Sequence, residues 1–321
     1  MEPMLARTVQ TLPEGPEWRY EPKWDGFRAI VDRDNGRTVV NSRSGRRLDP
    51  RFPEIAEAVS ALLPNGSSVD GEIVRWSGEG LEFEPLQRRN RSTVWDARRL
   101  AASEPCYFVA FDLLRWRGAD LAGYVLEERR EGLERLFDER AAPLPVMLGW
   151  QTDDPEEARG WFGDLVAVGI EGLVIKDART TYRPGRREWM KLKHRTTTEA
   201  IVGGVGGRPG RPEFLVLGRF DPETRELRIV GRTSELTRAE QRELAGLLSE
   251  AGGGHPWPVQ LPTSWGRDDS AEMVRVRPEV VVEVELDAAV TAGRWRHVVR
   301  YIRPRTELTP YEVPTGLGVE T

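Results

Sequence analysis

The sequence predicts an α+β domain over residues 1–198 followed by a small Greek-key β-barrel over residues 199–321. Three observations carry this expectation. The chain has 321 residues, 39% hydrophobic and 31% charged, which is enough for two ordinary globular domains. As far as the polar stretch TTT (196–198), short apolar runs alternate with segments of helical periodicity. Beyond it, five strand-like segments follow with a single helix among them.

In the first domain, SVDGEIVRW (68–76), YFVAFDLLRW (107–116) and EGLVIKD (171–177) are rich in Val, Ile, Phe and Trp and bounded by turn residues, so they read as strands. PEIAEAVSALL, EERREGLERLF and DPEEARGWFGDLVAVG carry the helical period. In WMKLKH the alternation of a strand puts Lys191 and Lys193 on one face and Met190 and Leu192 on the other. Two amines side by side repel, so an anion between them is expected. In the second domain the strands are EAIVGGV, EFLVLGRF, ELRIVGRT, PEVVVEVEL and HVVRYIR. The helix, TRAEQRELAGLLSEA, follows the third and opens with Thr237 and Glu240 at capping-box spacing. Five strands and a helix match the OB-fold, although any small antiparallel sheet domain would satisfy the same pattern. The glycine-rich GGVGGRPGRP (203–212) reads as a loop between strands.

Composition excludes several classes of function. The net charge of −5 argues against a uniformly basic nucleic-acid coat and leaves only local patches. A lone cysteine, Cys106, excludes an internal disulfide and a multi-cysteine zinc site, and reads as a buried thiol. The N-terminus lacks the apolar core of a signal peptide, and no run approaches the roughly 20 apolar residues of a membrane helix, so an intracellular protein with no membrane association is expected. Of the 47 Lys and Arg residues only Lys23, Lys176, Lys191 and Lys193 are lysine. In such a chain a retained lysine marks a place where guanidinium cannot substitute, because an ε-amine can lose its proton and act as a nucleophile. None of the four follows a glycine, which excludes a P-loop, and the glycine-rich stretch does not match the dinucleotide fingerprint. There is no HExxH, and His194, His255 and His297 are the only histidines, so histidine-driven catalysis is not expected.

EPKWDGFR (21–28) resembles the signature in which ATP-dependent DNA ligases form a covalent lysyl-AMP. NSRSGR (41–46), VDGEIV (69–74), FVAFDLL (108–114), EGLVIK (171–176) and WMKLK (189–193) follow in that family's order. The resemblance covers almost the whole chain and is closest to compact bacterial enzymes, the stand-alone ligase C type and the ligase domain of ligase D. It implies a nucleotidyltransferase (adenylation) domain followed by an OB-fold domain. Lys23 lies so near the start that no additional N-terminal DNA-binding domain is expected.

By this resemblance Lys23 is the nucleophile. Free lysine titrates near roughly pH 10.4, so Lys191, Lys193 or a metal would be needed to lower its pKa and then to bind the α-phosphate. Glu21 is implied to contact the adenine amino group and Phe111 to stack on the base. Arg28 and Arg43 would contact the nucleotide and the 5′-phosphate of a nick, and Lys176 the nucleotide or the DNA backbone. Glu72 and Glu171 would contact ribose and divalent metal, Mg²⁺ or Mn²⁺. The family's final motif commonly reads Arg-x-Asp-Lys, whereas the aligned residues here are Arg305, Glu307 and Leu308. Leu308 cannot orient pyrophosphate, which leaves that task to Arg303 or Arg305.

The activity implied is sealing of nicked double-stranded DNA by ATP in DNA repair, by a cytoplasmic, nucleoid-associated monomer that works beside a primase-polymerase partner. The barrel would close and reopen between steps with TTT as hinge. An RNA ligase or capping-type guanylyltransferase shares the lysyl-nucleotide core and stays open as an alternative. So does a nucleic-acid end-binding module with a vestigial nucleotidyl site, which Leu308 would favour.

Overall fold

The computed structural model describes residues 2–78, 80–140, 144–194, 196–258, 273–286, 290–291 and 293–318. It divides into two compact units, Met1–His194 and Arg195–Thr321. Among the described residues no helix is long and apolar enough to cross a membrane.

The first unit is built on two sheets. One has the strand order Ala6–Val9, Trp189–Lys193, Gly172–Asp177, Trp18–Pro22, its first pair parallel and the others antiparallel. The other runs Val146–Leu148, Tyr107–Trp116, Ser67–Val74, Phe27–Asp34, Arg37–Ser42, with Ala119–Asp120 folded back on Tyr107–Trp116. The helices Pro53–Leu62 and Leu126–Glu139 bury Ile55, Val59, Leu62, Leu133 and Leu136 against Val31, Val69, Ile73 and Phe108 of this second sheet. Side chains on its other face join the first sheet in a separate cluster of Met4, Ile30, Phe111, Leu114, Tyr182 and Trp189. The helix Pro155–Asp164 covers the far side of the first sheet through Ala158, beside Tyr20, Leu173, Ile175 and Met190.

The alternation of the long strand Tyr107–Trp116 breaks twice, at Phe111 and at Leu114. Gly71 pairs with Ala110 but Asp70 pairs with Asp112, so Phe111 is an extra residue. Such a bulge re-aims side chains. Phe108 and Ala110 lie in the helix-covered core, whereas Phe111 joins the layer between the sheets.

The second unit is a five-stranded antiparallel sheet ordered Leu227–Arg232, Arg211–Phe220, Thr196–Arg208, Met273–Leu286, Arg300–Pro304. A bridge between Thr233 and Val299 links its two edges, which gives the closed arrangement expected of an OB-fold. The helix Arg238–Ala245 follows the third strand and has the expected box: Thr237 N–H donates to Glu240 Oε2 at 2.6 Å, and Glu240 N–H to Thr237 Oγ1 at 3.4 Å. The residues Thr196, Thr197 and Thr198, read as a link, are already strand and pair with Leu286, Glu285 and Val284.

The glycine-rich stretch departs from its reading as a loop. Residues 203–208 continue the strand Thr196–Arg208, and the next strand, Arg211–Phe220, begins after only two residues. Gly203, Gly204 and Gly206 serve packing rather than turning, whereas Gly207, at φ +80°, leads into the turn. A Cβ on Gly203 would fall inside the ring of Trp257, one on Gly204 against Met273 Sδ, and one on Gly206 inside the ring of Phe214. The Trp257 indole that lies across the stripe is fixed by its Nε1–H, which donates to Leu227 O at 2.8 Å. Gly203→Ala should therefore lower the thermal midpoint of the C-terminal unit, with a loss of ~1–3 kcal/mol from overpacking. A scanning-calorimetry transition unchanged from wild type would contradict this.

Candidate active site

Lys23 follows the last residue of the strand Trp18–Pro22, and backbone bonds hold it against the neighbouring strand. Its N–H donates to Gly172 O at 2.8 Å, and Glu171 N–H donates to Lys23 O at 3.0 Å. Gly172 has φ +136° and packs against the backbone of Leu192 and Lys193, so a side chain there would be strained as well as crowded. This reciprocal pair brings Lys23 Nζ onto Glu171 Oε2 in a short ion pair. Lys193 Nζ lies 3.6 Å from the same oxygen. Lys191 projects from the same face of the strand Trp189–Lys193. Burial, then Lys193, Lys23 and Arg187, push its amine below the usual lysine range, and Glu171 offsets this only in part. The crowding of amines expected from the alternation is thus present.

Lys23 opens onto a cavity of about 260 Å³ whose walls include Glu21, Trp24, Arg28, Arg43, Glu72, Phe111, Lys176, Arg187, Trp189, Lys191 and the N-terminal residues Pro3, Met4, Leu5 and Ala6. Arg28 makes a bidentate pair with buried Asp70, its Nη2 2.6 Å from Oδ2, and its guanidinium lies 4.6 Å from the Phe111 ring centre and 4.8 Å from that of Trp189. Lys176, with no exposed surface, lies over the same two rings at 4.5 and 4.1 Å. Its amine is 2.7 Å from Glu21 Oε2, a charge contact outside hydrogen-bond alignment. Burial pushes that amine down, with Glu21 and Asp112 acting the other way. The other Glu21 oxygen accepts from Gln151 Nε2 at 2.8 Å. Burial pushes the Glu72 carboxyl up to about 8, outweighing Arg28 and Lys23, and Asp70 and Asp25 act in the same direction.

The structure therefore gathers Lys23, Lys191, Lys193 and Glu171 into one cluster, and places Glu21, Arg28, Arg43, Glu72, Phe111 and Lys176 on the walls of the adjoining cavity. Phe111 is only 7% exposed and shares its packing with Tyr182 and Trp189, so it is both core residue and cavity wall. Arg305 belongs to the second unit, where it pairs with Glu199 and, at 2.6 Å, with Glu307. Arg303 pairs with Glu283 at 2.8 Å. Leu308 packs against the cluster of Ile201, Val216, Trp257 and Val313, which explains an apolar residue at that position.

Among the described residues no three His, Cys, Asp or Glu side chains converge as a preformed metal cage. Magnesium is commonly held by one or two carboxylates together with substrate phosphates and water, so Glu171 and Glu72 suit a cation that arrives with a nucleotide.

Sequence reasoning missed Asp70, Gln151, Tyr182 and Trp189. Asp70 stands two residues before Glu72 and Trp189 two before Lys191, so their neighbourhood was visible though their contacts were not. Gln151 and Tyr182 carry no local signal, since their partners Glu21 and Asp70 are 130 and 112 residues away.

Comparison with known proteins gives consistent findings. A family model described as ATP dependent DNA ligase domain matches residues 3–193. The DNA ligase C of Mycobacterium tuberculosis is 33% identical over 330 residues, covering 97% of this chain and 91% of that protein. The multifunctional non-homologous end joining DNA repair protein LigD of the same organism is 32% identical over 92% of this chain, which matches 37% of the LigD length. Among solved structures, a mycobacterial DNA ligase D complexed with ATP and MES matches at a TM-score of 0.54 and 28% identity, covering 98% of both chains.

The raised Glu72 carboxyl has a consequence for stability. The folded protein keeps a proton there that the unfolded chain releases near the ordinary value of 4.5, so this contribution is complete below that pH and is lost as pH rises through about 8. Glu72→Gln should show a shallower decline in unfolding free energy across that window, measured by denaturant titration beside wild type. Parallel curves would show that Glu72 ionises in the folded state as freely as in the unfolded one.

Proposed function

This chain belongs to the ATP-dependent DNA ligases, covalent nucleotidyltransferases, and from that premise we propose that it seals nicks in double-stranded DNA through a lysyl-AMP on Lys23. The observation that carries the proposal is the convergence of Lys23, Lys191, Lys193 and Glu171 beside a cavity walled by Arg28, Arg43 and aromatic rings. In the first step the neutral Lys23 amine attacks the α-phosphorus of ATP. The new P–N bond replaces the bond to the β-phosphate oxygen, pyrophosphate leaves, and the nitrogen gives up a proton. Lys191 and Lys193 stand where they can hold the α-phosphate oxygens and stabilise the charge that grows on them. Phe111 and Trp189 form an aromatic wall for the base, and Glu21, fixed by Gln151 and Lys176, offers carboxylate oxygen to an adenine amino group. Glu171 and Glu72 would hold the divalent cation, which when bound shields the triphosphate.

In the second step a 5′-phosphate oxygen at the nick attacks the AMP phosphorus and releases the Lys23 amine. In the third the 3′-hydroxyl attacks that 5′-phosphate, and AMP departs. Arg43, exposed at the cavity rim, is placed to meet the 5′-phosphate. Arg303 or Arg305 is the candidate for orienting pyrophosphate, since Leu308 is committed to the core of its unit. The likeness to LigD, a non-homologous end joining DNA repair protein, supports a role in DNA repair; action as a monomer on nicked DNA beside a primase-polymerase partner is part of the same proposal.

The test is the intact mass of the protein after incubation with ATP and Mg²⁺, with GTP as control. Wild type should gain one AMP, Lys23→Ala none, and Lys191→Ala should form the adduct ~100-fold more slowly. Sealing of a labelled nicked duplex should follow the same order. An adduct on Lys23→Ala, or one formed from GTP in preference to ATP, would overturn the assignment.

A further inference from the structure

The layer between the two sheets of the first unit contains a buried polar network that the reaction steps above do not use. Asp70 and Asp112 are register partners on adjacent strands and neither has any exposed surface. Each is met by a bidentate arginine, Asp70 by Arg28 and Asp112 by Arg129. Tyr182 lies between the two pairs. Its hydroxyl donates to Asp70 Oδ2 at 2.6 Å, the oxygen that also takes Arg28 Nη2, and Arg129 lies over its ring at 5.6 Å. The same hydroxyl accepts from Met4 N–H at 2.9 Å. Met4 belongs to the N-terminal segment that lines the cavity and continues into the strand Ala6–Val9. The Tyr182 backbone is itself anchored, its N–H donating to Ala122 O at 2.9 Å.

Two alternatives to a purely structural role follow from this geometry. The hydroxyl fixes the rotation of the Asp70 carboxylate, and that carboxylate fixes the plane of the Arg28 guanidinium over Phe111 and Trp189. It also ties the N-terminal wall of the cavity to the wall that carries Arg28. We propose that Tyr182 is a positioning residue for nucleotide binding, acting on ATP through Asp70 and Arg28 and through the backbone of Met4. The inference rests on the reading of this cavity as the ATP site.

The experiment compares wild type, Tyr182→Phe, Arg28→Ala and the double variant, each first stripped of bound AMP with pyrophosphate. The rate of self-adenylylation is followed against ATP concentration, and ATP binding is measured separately by calorimetry. Tyr182→Phe keeps the ring packing and removes only the hydroxyl. It should raise the half-saturating ATP concentration roughly tenfold, the loss of one buried hydrogen bond to a charged group, with little change in maximal rate. In the Arg28→Ala background the same change should raise it only by the smaller part that passes through Met4. Asp70→Asn is the second variant, expected to shift half-saturation in the same direction should Tyr182→Phe fold poorly. Unchanged half-saturation in Tyr182→Phe, or a full tenfold effect that multiplies with Arg28→Ala, would overturn the proposal. Wild type that binds ATP without forming the adduct would sink the catalytic reading alone, with calorimetry still deciding the role of Tyr182. Wild type that does not bind ATP would overturn both.

Discussion

Two like charges in register at the centre of a sheet are the constraint on which the first unit depends. Asp70 and Asp112 face each other with no exposed surface, and opposed carboxylates destabilise a sheet unless something neutralises them. Arg28 and Arg129 do so from opposite directions, one from the next strand and one from the helix Leu126–Glu139. Removing one member of a buried pair costs about 3–5 kcal/mol because it strands the other charge, so strand and helix are held in register by these pairs, and the N-terminal segment is tied to them through the Met4–Tyr182 hydrogen bond. The bulge at Phe111 is part of the same arrangement, because it brings Asp112 opposite Asp70 and turns the phenyl ring toward the cavity.

The electrostatics of the cavity follow from that layer. Glu72 is pushed toward its neutral form and the Lys191 and Lys176 amines are pushed the same way, each chiefly by burial. A site that shifts carboxyl and amine alike toward neutrality carries less buried charge than its composition suggests. Triphosphate and a divalent cation would reverse those shifts by supplying the missing counter-charges.

Much of this was legible in the sequence. The two-residue period of WMKLK placed Lys191 and Lys193 together, and the capping box located the helix Arg238–Ala245, because both signals are local. The helices Phe83–Arg91 and Val94–Ser103 were not legible. The first buries only Leu86 and Arg89 and the second only Ala97, too little for an apolar period to stand out. The glycines at 203–206 misled for a different reason. Glycine usually marks a turn, and nothing nearby in the sequence announces that Trp257, Met273 and Phe214 will pack across them. Tyr182 and Gln151 illustrate the general limit, since a residue whose work is done by a partner more than a hundred positions away leaves no pattern in its own neighbourhood.

The paired backbone bonds between Lys23 and the segment Glu171–Gly172 have a mechanical meaning. Each residue is gripped by the main chain of the other segment, so the backbones of Lys23 and Glu171 form a single moving part. Thermal motion that shifts one carries the other in the same direction and preserves their separation. Flexibility needed to admit a nucleotide must then come from the side chains or from the N-terminal wall, and the spacing of the two main-chain segments that carry Lys23 and Glu171 is insulated from it.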